Sequence, residues 1–433
     1  MFRINPAGTS YRRTVLAALA FACGSGSAMA ADPMAIQSGR LLFTQPFTPT
    51  AVSPAGDGLG PLFNHVSCVA CHHSGGAGGA GDNRFNSRSF AIDRVQFVPK
   101  NPGHGVMAAF ASLNPLLVVD SGKLQNSIIL HRFGGTEALS QFRDALIKPF
   151  NPEWELTDVS NSDTVRCESS EKNFSDSTNS LSITAHIQAR NTTPLFGAGL
   201  INSVPDSVIL QQAKSKKRFP EINGRPSTLS FGRIGKFGWR ANFATLIEFT
   251  ENACVNELGL QSKNVPQPSD PTNSGYKNSS VDISDEAIGM MAQFVTSLPA
   301  PTRAVPADSQ HAQQISLGEN RFAAVGCAQC HVRDLGPAQG IYSDLLLHDI
   351  GPKLYDYNQA PPYRHDYVLD YEITVVVNAS SSGGGYHGSP QQAVFTDSGT
   401  TILHDFRDNR PVSSSSEQFV SDPIRLGRED DES

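Results

Sequence analysis

Two Cys-x-x-Cys-His pentads, Cys68-Val69-Ala70-Cys71-His72 and Cys327-Ala328-Gln329-Cys330-His331, constrain this chain more than any other feature. Each reads as a covalent haem c attachment site. Two thiols about one helical turn apart can form thioethers to the two vinyl groups of one porphyrin, and the next residue directs an imidazole at the iron. With 7 Cys and 12 His in 433 residues, chance supplies about 0.003 such pentads. A four-cysteine zinc site places its arms ~15–20 residues apart, whereas these arms lie at opposite ends of the chain. Zinc or thioredoxin-like chemistry also leaves both trailing histidines without a purpose.

The first thirty residues are an expected export signal: Arg3, Arg12 and Arg13 precede an apolar run from Val15 to Ala22, and a small-residue stretch ends at Ala28-Met29-Ala30. Removing those three arginines and no acids takes the formal net charge from −7 to −10. An acidic exported chain disfavours nucleic acid as a partner, and no other apolar run is long enough to span a bilayer. The expected location is the periplasm. With Cys23 lost with the signal, Cys167 and Cys254 remain beside the four pentad cysteines. In an oxidising compartment they are expected either to form a disulfide, worth about 4–5 kcal/mol in the chain-entropy model, or to stay two separate buried thiols.

A Gly-x-x-x-Phe pattern precedes each pentad, Gly39 to Phe43 and Gly318 to Phe322. Such a short helix is the entry to a cytochrome c unit. Ser284 can cap a helix reaching about Leu298, which Pro299, Pro301 and Pro306 then break. The expected organisation is therefore a signal at 1–30, a first haem domain with an insertion at 31–299, and a second haem domain with its tail at 300–433. Val265 to Ser280 reads as a surface loop, and Gly75 to Gly81 as a loop passing close to the haem edge. Beyond about Tyr357 the pattern weakens into serine, glycine and acidic runs, broken by one β-type stretch at Tyr371 to Val377; most of the tail is expected to be poorly ordered.

Four segments, Gly56 to Gly76, Thr193 to Asp206, Gly232 to Asn242 and Gly326 to Leu354, together resemble the bacterial di-haem oxidoreductases, also called thiol oxidoreductases, which are related to the di-haem cytochrome c peroxidases. The resemblance spans roughly 36 to 356. It implies a mainly α fold with two cytochrome c-like haem domains, a long insertion in the first, and a poorly ordered C-terminal tail. The related peroxidases also bind calcium between their domains, and the resemblance carries that cofactor as an option, although no loop here has calcium spacing. The C-terminus departs from the family: of its conserved closing segments only Leu403 to Arg407 gives an echo.

Peroxide reduction needs an iron with a displaceable distal position, a distal acid or base, and a second haem to store an electron. His72 and His331 are the expected proximal ligands, with Cys68, Cys71, Cys327 and Cys330 holding the two haems. His131 follows an apolar run and precedes Arg132, so it is a distal candidate, with a core or helix-end histidine as the alternative. His348 matches a family position near the second haem; His404 is a weaker candidate, and His73 is expected at the surface. Trp239 is the expected electron path between the haems, as a tryptophan is in the related peroxidases, or else an aromatic packed on a haem edge. Arg190 and Arg240 are candidate propionate donors.

These features lead to an exported di-haem c oxidoreductase of peroxidase type, passing electrons from a cytochrome c or cupredoxin to peroxide or a related oxidant. The alternatives are a non-catalytic electron carrier, and a di-haem oxygenase or maturation enzyme with a larger substrate.

Overall fold

The computed structural model describes residues 32–53, 56–99, 114–117, 127–150, 170–175, 179–215, 219, 222, 224–273, 276 and 280–348, with the strands Ile373–Val377, Gln391–Phe395 and Thr401–Asp405. The expected signal segment and Cys167 lie outside the described residues. Eight α-helices are described: α1 (Pro33–Thr44), α2 (Cys68–Cys71), α3 (Glu137–Ile147), α4 (Ala198–Ser203), α5 (Asp206–Ala213), α6 (Leu246–Leu258), α7 (Asp285–Ser297) and α8 (Ser309–Ala324).

The frame around the first pentad is built where α1 crosses α7. Asp32 caps α1 by accepting the Met34 N–H, and Pro33 fits the first helical position, where no N–H is needed. Gly39 makes the crossing close: a Cβ there would lie 2.0 Å from the Met290 carbonyl oxygen. One turn on, the Phe43 ring packs at 5.2 Å from Phe294. Ser284 caps α7 as its position promised, accepting the Ala287 N–H. α6 starts on a capping box between Thr245 and Glu248 and stops at Gly259, whose φ of 64° satisfies the last turn at no Cβ cost. Two apolar clusters seal the three helices together. One joins Phe43, Phe237, Phe243, Leu246 and Phe294; the other joins Leu59, Cys254, Leu258, Ile283 and Met291, and Cys68 packs against both.

The expected mainly α fold is corrected by the insertion, which is largely β. Strand Ser87–Pro99 runs antiparallel to Asn179–Arg190, with Ser87 opposite Arg190, Phe90 opposite Ile187, and an irregularity between Ile92 and Arg94. Ser170–Ser175 extends the sheet on one side and Ser127–Ile129 pairs with the first strand. On the other side Ile373–Val377 joins in parallel, followed by Gln391–Phe395 and Thr401–Asp405, to complete seven strands. Ile183, Ala185 and Ile187 alternate into the core, a period of two that no helix can use. Ser89, Phe90, Ala91 and Ile92 are buried in succession, which places that part of the strand under cover on both faces.

The tail expectation is corrected for the same reason: three of its segments are strands of this sheet, the first inside the anticipated β stretch. His404 lies in the last of them, opposite Gln392, as part of the sheet rather than of a helix over the second pentad.

A third cluster, Val204, Ile209, Ile234, Leu335 and Ala338, ties the loop after the second pentad to α5 and its surroundings. By contrast α8, which leads into that pentad, has no buried residue.

Candidate functional site

The first pentad opens onto a cavity of about 540 Å³, within the roughly 300–1,000 Å³ range of cofactor pockets. Cys68, Cys71 and His72 form one part of its wall, Phe43, Leu195, Trp239 and Phe243 another, and α6 contributes Leu246, Phe249, Thr250, Ala253, Cys254 and Glu257. Ser67 caps the short helix that holds the two thiols, accepting the Ala70 N–H at 3.3 Å. Burial, then the neighbouring thiol for Cys68 and Glu257 for Cys71, pushes both thiols up to about 12. At neutral pH both groups are protonated, which disfavours thiol–disulfide exchange at them. Among the described residues no group of three or more His, Cys, Asp or Glu is arranged to hold a metal ion.

The His72 ring decides how an iron would be held. Its Nδ1 lies 3.1 Å from the Gly79 carbonyl, so Nδ1–H donates there and Nε2 keeps its lone pair for a metal. Burial lowers the pKa of this imidazole, against the opposing effect of the Gly79 and Thr193 carbonyls. The loop expected near the haem edge thus supplies the carbonyl that fixes the tautomer.

The second pentad repeats the device. The Nδ1 of His331 is 3.1 Å from the Tyr342 carbonyl, again leaving Nε2 for a metal. Tyr342 holds this position at φ 48° and Leu345 lies at φ 54°, left-handed backbone that costs a non-glycine residue about 1–3 kcal/mol and gathers at functional sites. Gly326, at φ 99°, opens the pentad; its missing Cβ makes room for the Phe219 ring. The surroundings are apolar and uncovered: Leu317 is 54% exposed, Phe322 37% and Val325 72%. A porphyrin face is a cover of suitable chemistry for such a patch.

His348 lies at this second pentad. Its Nε2–H donates to Asp344 Oδ2 at 2.9 Å and its Nδ1 faces the Cys330 sulfur at 3.6 Å. Asp344 is buried and also donates its backbone N–H to the Cys330 carbonyl. With both nitrogens engaged, His348 braces the loop that follows Cys330.

His131 does not line the first cavity. It is buried, its Nε2–H donates to the Asn256 carbonyl at 3.0 Å, and burial drives its pKa down to about 4. The core histidine is the reading that geometry supports. His73 is at the surface as anticipated, with Nδ1 on the Ala70 carbonyl. Cys254 is a free, buried thiol in the cluster against which Cys68 packs, and its expected partner Cys167 lies outside the described residues.

Trp239 stands on the cavity wall at the start of a 3-10 turn, 39% exposed, with the Arg190 guanidinium carbon 3.2 Å above its ring centroid. Its segment has one foot in each half of the molecule. Ile234 packs with Leu335 and Ala338 near the second pentad, whereas Phe237 and Phe243 pack with Phe43 and Cys68 near the first. Arg190 lines the cavity; Arg240 does not, and is held at φ 54° in the same turn.

Among the cavity residues that escaped sequence reading are His65, Glu257 and Met291. Glu257 accepts from Asn64 Nδ2 at 2.6 Å, and its carbonyl accepts the Asn64 and His65 N–H groups. His65 Nδ1 accepts the Val66 N–H at 2.9 Å, which leaves Nε2 as a proton donor. Burial, then Arg132, lowers the His65 pKa. Only the period of α6, with Thr250, Ala253 and Glu257 on successive turns of one face, carried a signal for the acid.

No helix among the described residues is long and apolar enough to cross a membrane. The chain matches no protein-family model, no curated protein and no solved structure.

Proposed function

We propose that this chain is an exported di-haem c-type oxidoreductase of peroxidase type, which takes electrons from a small donor protein such as a cytochrome c or cupredoxin and reduces peroxide or a related oxidant. The observation that carries the reading is the pair of locked imidazoles. His72 and His331 each follow two thiols, and each has Nδ1 committed to a backbone carbonyl. A bound haem supplies one-electron iron chemistry at each position.

The chain's own residues then divide the work. Cys68 and Cys71 hold the first group in a cavity whose α6 wall combines Phe249 and Ala253 with Thr250 and Glu257, so an apolar chamber carries a few placed polar groups. Reduction of a peroxide takes two protons, and Glu257 and His65 are the cavity groups able to deliver them. Trp239, on the segment packed against both halves, is the electron path in this reading. At the second pentad His348 and Asp344 fix the attachment loop and hold the storage site rigid.

Met291 supports a second reading. It is fully buried and lines the cavity, so its thioether would be available to help hold a bound haem, which would make the protein an electron carrier. Electron paramagnetic resonance of the oxidised and half-reduced holoprotein separates the two. A high-spin signal that converts on cyanide addition, beside one low-spin haem, supports the enzyme. Two low-spin haems unmoved by cyanide or half-reduction support the carrier and overturn the peroxidase reading.

A further inference from the structure

Between the two pentads, positive charge gathers in one stretch. From Lys214 to Arg240 the sequence carries eight lysines and arginines against one acid, Glu221, in a chain whose formal net charge is −7. This stretch includes the segment that packs against both halves of the molecule, which folds as two successive hairpins closed by the bridges Thr228–Ile234 and Phe237–Phe243. Lys214 and Arg225 are exposed, while Arg233 and Lys236 pair with Glu248 and Asp206.

Phe231 stands at the tip of the first hairpin, 91% exposed, more than any other large apolar side chain among the described residues. The Leu229 N–H ties the arms by donating to the Arg233 carbonyl at 2.8 Å. Phe231 lies between them at φ 59°, left-handed backbone that glycine adopts freely and a bulky residue does not. Exposure of its ring to water is unfavourable, and the apolar surface of a partner removes that cost. The foot of the hairpin is fixed on the side of the second pentad, where Ile234 packs with Leu335, four residues after His331. The Arg233–Glu248 pair ties its tip to the first turn of α6, where Ile247 is 55% exposed.

The geometry points to this hairpin as the docking surface for the electron donor, a small redox protein with an acidic rim around an apolar contact patch. Phe231 enters the patch, and Lys214 and Arg225 meet the rim. The inference rests on the oxidoreductase reading and selects among its donors. Charge complementarity decides the sign: an acidic protein, repelled by the chain as a whole, settles where the local charge is reversed, as it is in this stretch. Placement decides the role. A protein seated on Phe231 is three residues of chain from the contact between Ile234 and the loop of the second pentad, on the segment whose Trp239 lines the cavity of the first. Electrons then enter on the storage side.

The test is stopped-flow reduction of the oxidised holoprotein by a reduced acidic cupredoxin, by a reduced basic cytochrome c and by ascorbate, on the parent chain, Phe231→Gly and Arg225→Glu. Phe231→Gly removes the ring without straining the turn. The surface predicts a second-order rate with the cupredoxin that falls as salt rises and is at least tenfold lower in each variant, with reduction by ascorbate unchanged. No reduction of the parent by the cupredoxin, an unchanged rate in either variant, or equally fast reduction by the basic cytochrome c overturns it. Phe231-dependent association with phosphatidylglycerol vesicles, with a cupredoxin rate indifferent to Phe231, also overturns it and assigns the patch to a lipid surface. Peroxide turnover driven by ascorbate reads the enzyme separately. Turnover with a cupredoxin rate indifferent to the variants keeps the enzyme and loses the surface, whereas Phe231-dependent reduction without turnover keeps the surface and loses the peroxidase.

Discussion

The same substitution in the two Gly-x-x-x-Phe helices should have opposite signs. At Gly39 an added Cβ would lie 2.0 Å from the Met290 oxygen and 2.5 Å from its carbon, both backbone atoms that no rotamer change can move. A tolerable contact begins near 3.0 Å, so α1 must retreat from α7 by an ångström or more. That retreat loosens the Phe43–Phe294 pair, and overpacking of this kind costs about 1–3 kcal/mol, occasionally more. Because backbone atoms block the Cβ, the cost sits at the upper end of that range, about 3 kcal/mol; alanine regains about 1 kcal/mol of helix propensity, so Gly39→Ala should lose about 2 kcal/mol. At Gly318 nothing lies within 4 Å, and Gly318→Ala should be neutral or gain up to about 1 kcal/mol. Urea unfolding of both variants, followed by far-ultraviolet circular dichroism and by haem absorbance, reads the difference. A Gly39→Ala variant as stable as the parent would refute the crossing at Gly39, and with it the frame of the first cavity.

Other outcomes follow from the same geometry. Replacing Glu257 by Gln should lower peroxide turnover by roughly 10²–10⁴-fold at unchanged haem content, and unchanged turnover in a stopped-flow assay would remove it as the acid. His131 links stability to acid: its folded pKa of about 4 lies below the unfolded 6.5, so the unfolded chain takes up the proton first. Its contribution is whole above pH 6.5 and lost as pH falls towards 4, on the order of 3 kcal/mol. His131→Gln should flatten that loss in denaturation midpoints measured at several pH values, and an unaltered profile would contradict the burial. Cys254 should react with a thiol reagent only after denaturation, since burial raises its pKa well above the ordinary value; rapid labelling of the native protein would show that the cluster beside Cys68 is open.

What the sequence disclosed follows from how local each signal is. The Ser284 cap and the helix carrying Gly39 to Phe43 depend on a few neighbouring residues, and both form as those residues imply. The sheet was missed because the strand Ser87–Pro99 is buried on both faces over part of its length, so its alternation is blurred. Its third neighbour also comes from a tail whose composition reads as disordered. His131 misled because an apolar run beside an arginine marks a core position as readily as a pocket. The carbonyls of Gly79 and Tyr342 lie 7 and 11 residues beyond their histidines, a distance over which residue type says nothing about backbone direction. Glu257 and Met291 are distant in sequence from the first pentad, and only the packing of α6 and α7 brings them to it.

The central claim is that two haems are covalently held. Intact-mass measurement of the exported chain under denaturing conditions, with a pyridine haemochrome on the same sample, tests it directly. The account predicts a polypeptide heavier by two haems, falling to one haem in either the Cys68→Ala, Cys71→Ala chain or the Cys327→Ala, Cys330→Ala chain. A bare polypeptide mass from a host competent in haem c attachment would contradict it.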